Sequence, residues 1–181
     1  MYIVVGLGNP GEKYEQTRHN AGRMAVLALK DVSARIITPD TFMNKSGEAV
    51  KPLIKSAKQA EKLIVVHDDL DMPFGTFKIS FNKSSGGHKG VESIIRAVKT
   101  QAFTRIRIGI SPTTASGKLK PARPNGRSGG KPKGAENVER HILGKFKPAE
   151  LAVLQKLHKK INEAVICLIT DGREKAMSIY N

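Results

Sequence analysis

The chain has one cysteine, and no apolar run approaches the ~20 residues that a bilayer-spanning helix requires. A single thiol cannot form an intrachain disulfide, so nothing ties the fold to an oxidising compartment. Cys167 stands in the apolar run Ala164–Ile169, where a thiol behaves as a small inert hydrophobe. The first apolar run, Tyr2–Val5, is too short for a secretory signal and lacks its basic flank. Together these absences point to the cytoplasm. Internal repeats are missing too. Acidic residues are scarce: 16 Asp+Glu stand against 31 Lys+Arg, a formal charge of +15 over 181 residues. That imbalance directs attention to nucleic acid or another polyanion as partner. The hydrophobic content of 39 % is modest but sufficient for a core, which excludes wholesale disorder.

The surplus charge is unevenly spread. Residues 1–112 carry 17 basic and 10 acidic side chains, whereas residues 113–137 carry six basic (Lys118, Lys120, Arg123, Arg127, Lys131, Lys133) against Glu136 alone. This 25-residue stretch has Gly, Pro and Ser but no apolar periodicity. We expect a flexible basic loop at about 112–137, set within a single domain spanning 1–181.

Short apolar runs alternate with helical patterns over the rest of the chain. Tyr2–Val5, Arg35–Thr38, Leu63–Val66, Thr76–Phe81 and Arg105–Ile110 read as strands. Asn20–Lys30, Ser46–Lys58 (interrupted at Pro52), Lys89–Lys99 and Pro148–Thr170 read as helices. The order predicts an α/β fold of three layers, with a central mixed sheet flanked by helices.

Several short motifs carry chemistry. Gly6-Leu7-Gly8-Asn9-Pro10-Gly11 follows the first strand and matches G-x-G-x-x-G. Pro10 has no amide to offer a pyrophosphate, and the next helix starts only near Asn20, so the dinucleotide reading is poor. The other two readings are a tight strand exit, or a turn presenting the Asn9 amide. His19 lies on a polar loop before a helix that Asn20 is placed to cap. Thr41–Gly47 reads as a helix-start loop capped by Asn44 or Ser46. His67-Asp68-Asp69-Leu70-Asp71 closes the third strand, and its three carboxylates suit either a divalent cation or a solvated acidic loop. Ser84–Gly90 opens a helix, with Lys89 adding positive charge to a helix start.

Each motif is weak alone, but Asn9, Asn44 and Asp68 all follow strands, where open α/β sheets bind ligands. A histidine, a carboxylate and two amides, with no serine or cysteine elbow, suit water activated by a base. On a positively charged protein, that chemistry suggests hydrolysis of something attached to a nucleic acid.

At this point a resemblance emerges. Val5–Gly11 with Tyr14, Thr17–Gly22, Thr41–Gly47, His67–Gly75, Gly86-Gly87-His88, Arg105–Ile110 and Ile142–Phe146 occur in this order and together resemble bacterial peptidyl-tRNA hydrolases. The resemblance implies cleavage of the ester between peptide and tRNA 3′ ribose, without metal or organic cofactor. It implies His19 as the base and Asp68 as the carboxylate that keeps it basic. Asn9, Tyr14, Phe42 and Asn44 match substrate-binding positions, and Arg107 matches a tRNA-phosphate contact. Lys78, Lys83, His88, Lys118, Lys120, Arg123 and Arg127 join it as further candidates for tRNA contact. The implied partner is the acceptor stem and CCA end of peptidyl-tRNA, met by a monomer. The alternative is a relative that binds tRNA or other RNA with little or no hydrolysis.

Three departures individualise the chain. Many family members have asparagine directly after Gly-Gly-His; this chain has Lys89, which cannot accept a hydrogen bond and is assigned here to substrate binding. The span from His19 to Thr41 is short, so a sheet edge is expected to be trimmed. Ser111–Asn137 is longer and more basic than the corresponding family loop, which suggests a clamp on tRNA phosphates.

Overall fold

The computed structural model describes residues 1–114, 116–118, 120 and 130–181. Arg123 and Arg127 lie outside the described residues, as does most of the centre of the predicted basic loop. The chain forms β1 (Tyr2–Gly6), α1 (Ala21–Leu27), β2 (Ala34–Ile37), α2 (Ser46–Val50), α3 (Ala57–Ala60), β3 (Leu63–Pro73), β4 (Phe77–Phe81), α4 (Lys89–Val98) and β5 (Thr104–Ser111). Helices α5 (Ala135–Ile142), α6 (Pro148–Thr170) and α7 (Arg173–Tyr180) complete it. The five strands form one mixed sheet in the order β2-β1-β3-β5-β4, parallel except for the antiparallel edge strand β4.

Alternation along the strands divides the core in two. One cluster packs Val4, Ile64, Val66, Ile106 and Ile108 against Ala25 and Val26 of α1 and Leu154, Leu157, Ile161 and Leu168 of α6. The other packs Val5, Leu7 and Val65 against Val50, Val91, Ile94 and Phe103. The expected three layers are present, and their sheet brings the exits of the four parallel strands to one end.

The elements differ from the sequence reading where a local residue overrides periodicity. Pro52 splits the expected 46–58 helix into α2, a 3-10 turn at Lys51–Leu53, and α3, whose N-cap Ser56 accepts from the Gln59 N–H at 3.2 Å. The helix expected from Asn20 to Lys30 stops at Leu27 and is preceded by a 3-10 turn at Arg18–Asn20. β3 runs seven residues past Val66, so His67-Asp68-Asp69 lies within the strand and is not a solvated loop. β5 pairs with this extension through His67↔Arg107, Asp68↔Ile108 and Asp69↔Gly109, before an irregularity between Asp69 and Pro73. Gly109 permits the close approach, since a Cβ there would lie 2.0 Å from the Pro73 carbonyl oxygen. The predicted loop ends early because Ala135 starts α5, and α7 follows Gly172 at φ +94°. His141 and His158, lying outside the matched motifs, are half-buried. Within the described residues, no helix is long and apolar enough to cross a membrane.

Candidate active site

Glycines first bring α1 onto the strand exits. A Cβ on Gly22 would lie 2.1 Å from the Val66 carbonyl oxygen, so only glycine lets α1 cross β3 this closely. That crossing carries the preceding 3-10 turn, and with it His19, over Asp68. His19 Nδ1 lies 3.0 Å from both Asp68 carboxylate oxygens, and the residues are 6 % and 3 % exposed. The turn is held from outside as well. The Arg18 guanidinium donates to both Glu150 oxygens at 3.1 Å, and the Arg18 N–H donates to the Gly144 carbonyl. Arg18 also packs over the Phe146 ring, which explains why Ile142–Phe146 belongs with the site motifs although it lacks reactive groups.

His88 supplies a second imidazole. Its Nε2 lies 2.9 Å from Asp68 Oδ1, while its Nδ1 accepts the Gly90 and Val91 N–H groups at 3.2 and 3.3 Å as N-cap of α4. The structure therefore places His88 against buried Asp68, apart from Lys78, Lys83 and Lys118, which are exposed. His67 is fully buried: its Nδ1–H donates to the Asp68 carbonyl at 2.7 Å, and its ring meets that of His88 edge-on at 4.8 Å. Burial foremost, with the Arg105 guanidinium acting in the same direction, pushes His67 well below its ordinary pKa, so it stays neutral.

The charges in the cluster are coupled. Burial alone would raise the Asp68 carboxyl, but His19 and His88 hold it well below the usual carboxylate range. Burial would lower His19, yet Asp68 outweighs it and raises the imidazole above 6.5, with Lys89 opposing. Asp68 acceptance requires the proton on His19 Nδ1 in the neutral ring, leaving Nε2 as the basic atom. That atom has no hydrogen-bond partner among the described residues, and 8 % of the side chain stays exposed.

His19, Asp68 and His88 also place three possible metal-ligand atoms within 4.8 Å of one another. The donor set is nevertheless satisfied by protons: His88 Nδ1 is committed to two helix N–H groups, so its Nε2 carries the proton given to Asp68. Asp69 and Asp71 do not join a cation site here; they bind Arg107 and Lys131.

Asn9 is buried and its Oδ1 accepts the Met43 N–H at 2.8 Å, tying the β1 exit to the Thr41–Gly47 segment. Its Nδ2 has no partner among the described residues. Asn20, expected as a helix cap, makes no capping bond. Its side chain instead accepts the Asn9 N–H at 2.8 Å and donates to the Asn9 carbonyl at 2.9 Å, clasping the Asn9 backbone on both sides. Sequence reasoning missed this role because Asn before a helix has a sufficient local explanation. Neither Asn44 nor Ser46 caps α2; Ser46 Oγ donates back to the Met43 carbonyl. Asn44 and Phe42 are exposed, Phe42 at 56 %, and Tyr14 is half-buried beneath Lys13. Lys89 is exposed at the first position of α4.

The basic candidates fall into two groups. Lys78 of β4 stands directly opposite Arg107 of β5, and Arg107 Nε donates to Asp69 at 2.7 Å. Two like charges in register repel, so a phosphate beside them would relieve what Asp69 offsets only in part. Arg105, absent from the sequence candidates, is buried on the same strand without an ion pair among the described residues. Lys83 follows β4 and is exposed. Lys118 is exposed and Lys120 half-buried; the Lys131 N–H donates to the Lys120 carbonyl, and the Lys131 ammonium pairs with Asp71.

The family model described as peptidyl-tRNA hydrolase matches residues 3–35 and 27–122. The chain is 38 % identical over 207 residues to the peptidyl-tRNA hydrolase of Thermodesulfovibrio yellowstonii, covering 100 % of this chain and 99 % of the relative. It is 39 % identical over 202 residues to that of Aquifex aeolicus, covering 99 % and 95 %. The crystal structure of peptidyl-tRNA hydrolase from Acinetobacter baumannii superposes with a TM-score of 0.80 at 29 % identity, over 100 % of this chain and 94 % of that one.

Proposed function

The chain belongs to the peptidyl-tRNA hydrolase family, and from that membership we propose how its site cleaves the ester between peptide and tRNA. It is a carboxylic ester hydrolase, and the common description of its relatives leaves the binding-only alternative without support. The observation that carries the mechanism is the buried His19 Nδ1 equidistant from both oxygens of Asp68.

His19 Nε2 takes a proton from water as the oxygen attacks the ester carbonyl, and the ionised Asp68 stabilises the imidazolium that forms. The tetrahedral intermediate collapses when the tRNA ribose oxygen leaves with a proton returned by His19, releasing free tRNA and a peptide carboxylic acid that loses its proton to solvent. No covalent enzyme intermediate is needed. The Asn9 amide, fixed by Met43 and Asn20, offers its N–H2 to a substrate carbonyl, while Asn44, Tyr14 and Phe42 supply further substrate contacts. Lys89 sits near enough to act on the His19 charge and is suited to the terminal phosphate of the CCA end. Arg107, Lys78 and Lys83 form an edge for acceptor-stem phosphates, joined by the basic stretch that carries Lys118 and Lys120. We take the monomer in the cytoplasm as the working unit, because one chain holds the whole site and tRNA is its substrate.

Peptide release from N-blocked aminoacyl-tRNA tests this reading. Loss of one general base is expected to cost His19→Ala about 10²–10⁴-fold in kcat, with tRNA affinity kept. Turnover by His19→Ala at the wild-type rate would remove His19 as the base.

A further inference from the structure

His88 holds two bonds that constrain each other. Its Nδ1 accepts two N–H groups from the first turn of α4, so that nitrogen carries no proton. The single proton of the neutral ring is then on Nε2, 2.9 Å from Asp68 Oδ1. The helix start thereby dictates which tautomer faces the carboxylate. We propose that His88 is a positioning residue for the hydrolysis: locked by its helix cap, it donates Nε2–H to Asp68, orients that carboxylate, and divides its charge between two imidazoles. The kinetic part of this proposal rests on the reading of His19 as base; the structural part does not.

The consequence for His19 has a definite sign. Asp68 favours the imidazolium of His19, and a second donor on Oδ1 withdraws part of the carboxylate's charge. His19 is therefore held less basic than a full, unshared carboxylate would make it. A base near ambient pH gains by this, because more of it is unprotonated and ready to accept. The other groups facing the cluster are His67 of β3, Lys89 of α4, Arg105 of β5 and His141 of α5. His67 remains neutral against the His88 ring, and its own proton is spent on the Asp68 carbonyl, so it cannot replace the donor. Lys89 and Arg105 are fixed positive charges that both variants below retain.

Two substitutions separate the two bonds of His88. Asparagine is a good helix cap and mimics Nδ1, but is too short to reach Asp68. Glutamine can place an amide N–H2 near the former Nε2, but loses the cap. His88→Asn is expected to keep the helix cap and the fold while its acid limb of kcat/KM, and the NMR titration of His19, move up by about half a pH unit or more. His88→Gln is expected to bring both back towards wild type while melting lower. In the wild type, the ¹⁵N resonances of His88 are expected to show Nδ1 unprotonated and Nε2 protonated. A protonated Nδ1, or a His19 titration that stays in place or falls in His88→Asn, would overturn the proposal. A His19 titration that moves without the kinetic limb supports the His88 role and defeats His19 as the kinetic base.

Discussion

Along four residues of β3, three carboxylates meet three surroundings. Asp68 has a side chain 3 % exposed and serves two imidazoles; Asp69 is 12 % exposed and holds Arg107; Asp71 is 59 % exposed and meets Lys131. The chemistry of the three groups is the same, so burial and partner decide what each does. In the dry cluster one charge controls protonation of its neighbours, while at the solvent end it only tethers a cation. Expected effects of substitution decline along the same path.

The largest loss is expected at Asp68. Asp68→Asn keeps the shape but removes the negative charge, and its amide can present N–H to His19 and favour the wrong tautomer. A fall of about 10³–10⁴-fold in kcat is expected, by analogy with the amide replacement in a serine-protease triad. The pH dependence follows from the direction of each shift. With Asp68 present, His19 is raised, so wild-type kcat/KM climbs with pH through a value above 6.5 and levels beyond it. Asp68 itself titrates well below the usual carboxylate range and adds no limb near neutrality. In Asp68→Asn only the lowering effects of burial and Lys89 remain, so His19 titrates lower even as turnover collapses. An upward shift on removing the carboxylate charge would contradict the assignment.

Much of this was legible in the sequence, and what was not has physical reasons. Buried strands such as Leu63–Val66 and the amphipathic α6 announce themselves, because their periodicity is set by the same faces that pack. His19, Asp68, Asn9 and Asn44 could be grouped because each stands beside a strand exit or a helix start. The length of β3 was hidden: His67-Asp68-Asp69 reads as a polar loop until β5 and Gly109 supply a pairing partner. Asn20 and His88 were hidden for another reason. Each has a local explanation, a cap for one and a surface contact for the other, but their decisive bonds reach 11 and 20 residues along the chain. Local rules cannot see such partners.

Asp69 marks the middle of the gradient, and its partner Arg107 gives the next prediction. If Arg107 neutralises one tRNA phosphate, Arg107→Ala should weaken tRNA binding at low salt and reduce the slope of log K against log salt by about one. Turnover at saturating substrate should change little, because the His19–Asp68 pair is untouched. Asp69→Asn tests the same contact from the other side: release of Arg107 should leave that slope intact and strengthen binding slightly. An unaltered slope in Arg107→Ala would confine Arg107 to a structural ion pair.

The smallest effect is expected at Asp71. Its pair with Lys131 leaves the two side chains 59 % and 39 % exposed, where water and salt screen most of the attraction and ordering two side chains costs entropy. Asp71→Ala should alter stability by no more than about 0.5 kcal/mol. Lys131 is also held through its backbone, whose N–H donates to the Lys120 carbonyl, so the side-chain pair is not the sole anchor of that segment. Thermal melts at low and high salt measure this directly. A destabilisation of several degrees that persists in high salt would mean that Asp71 behaves like its buried neighbour, and that burial alone does not rank the three carboxylates.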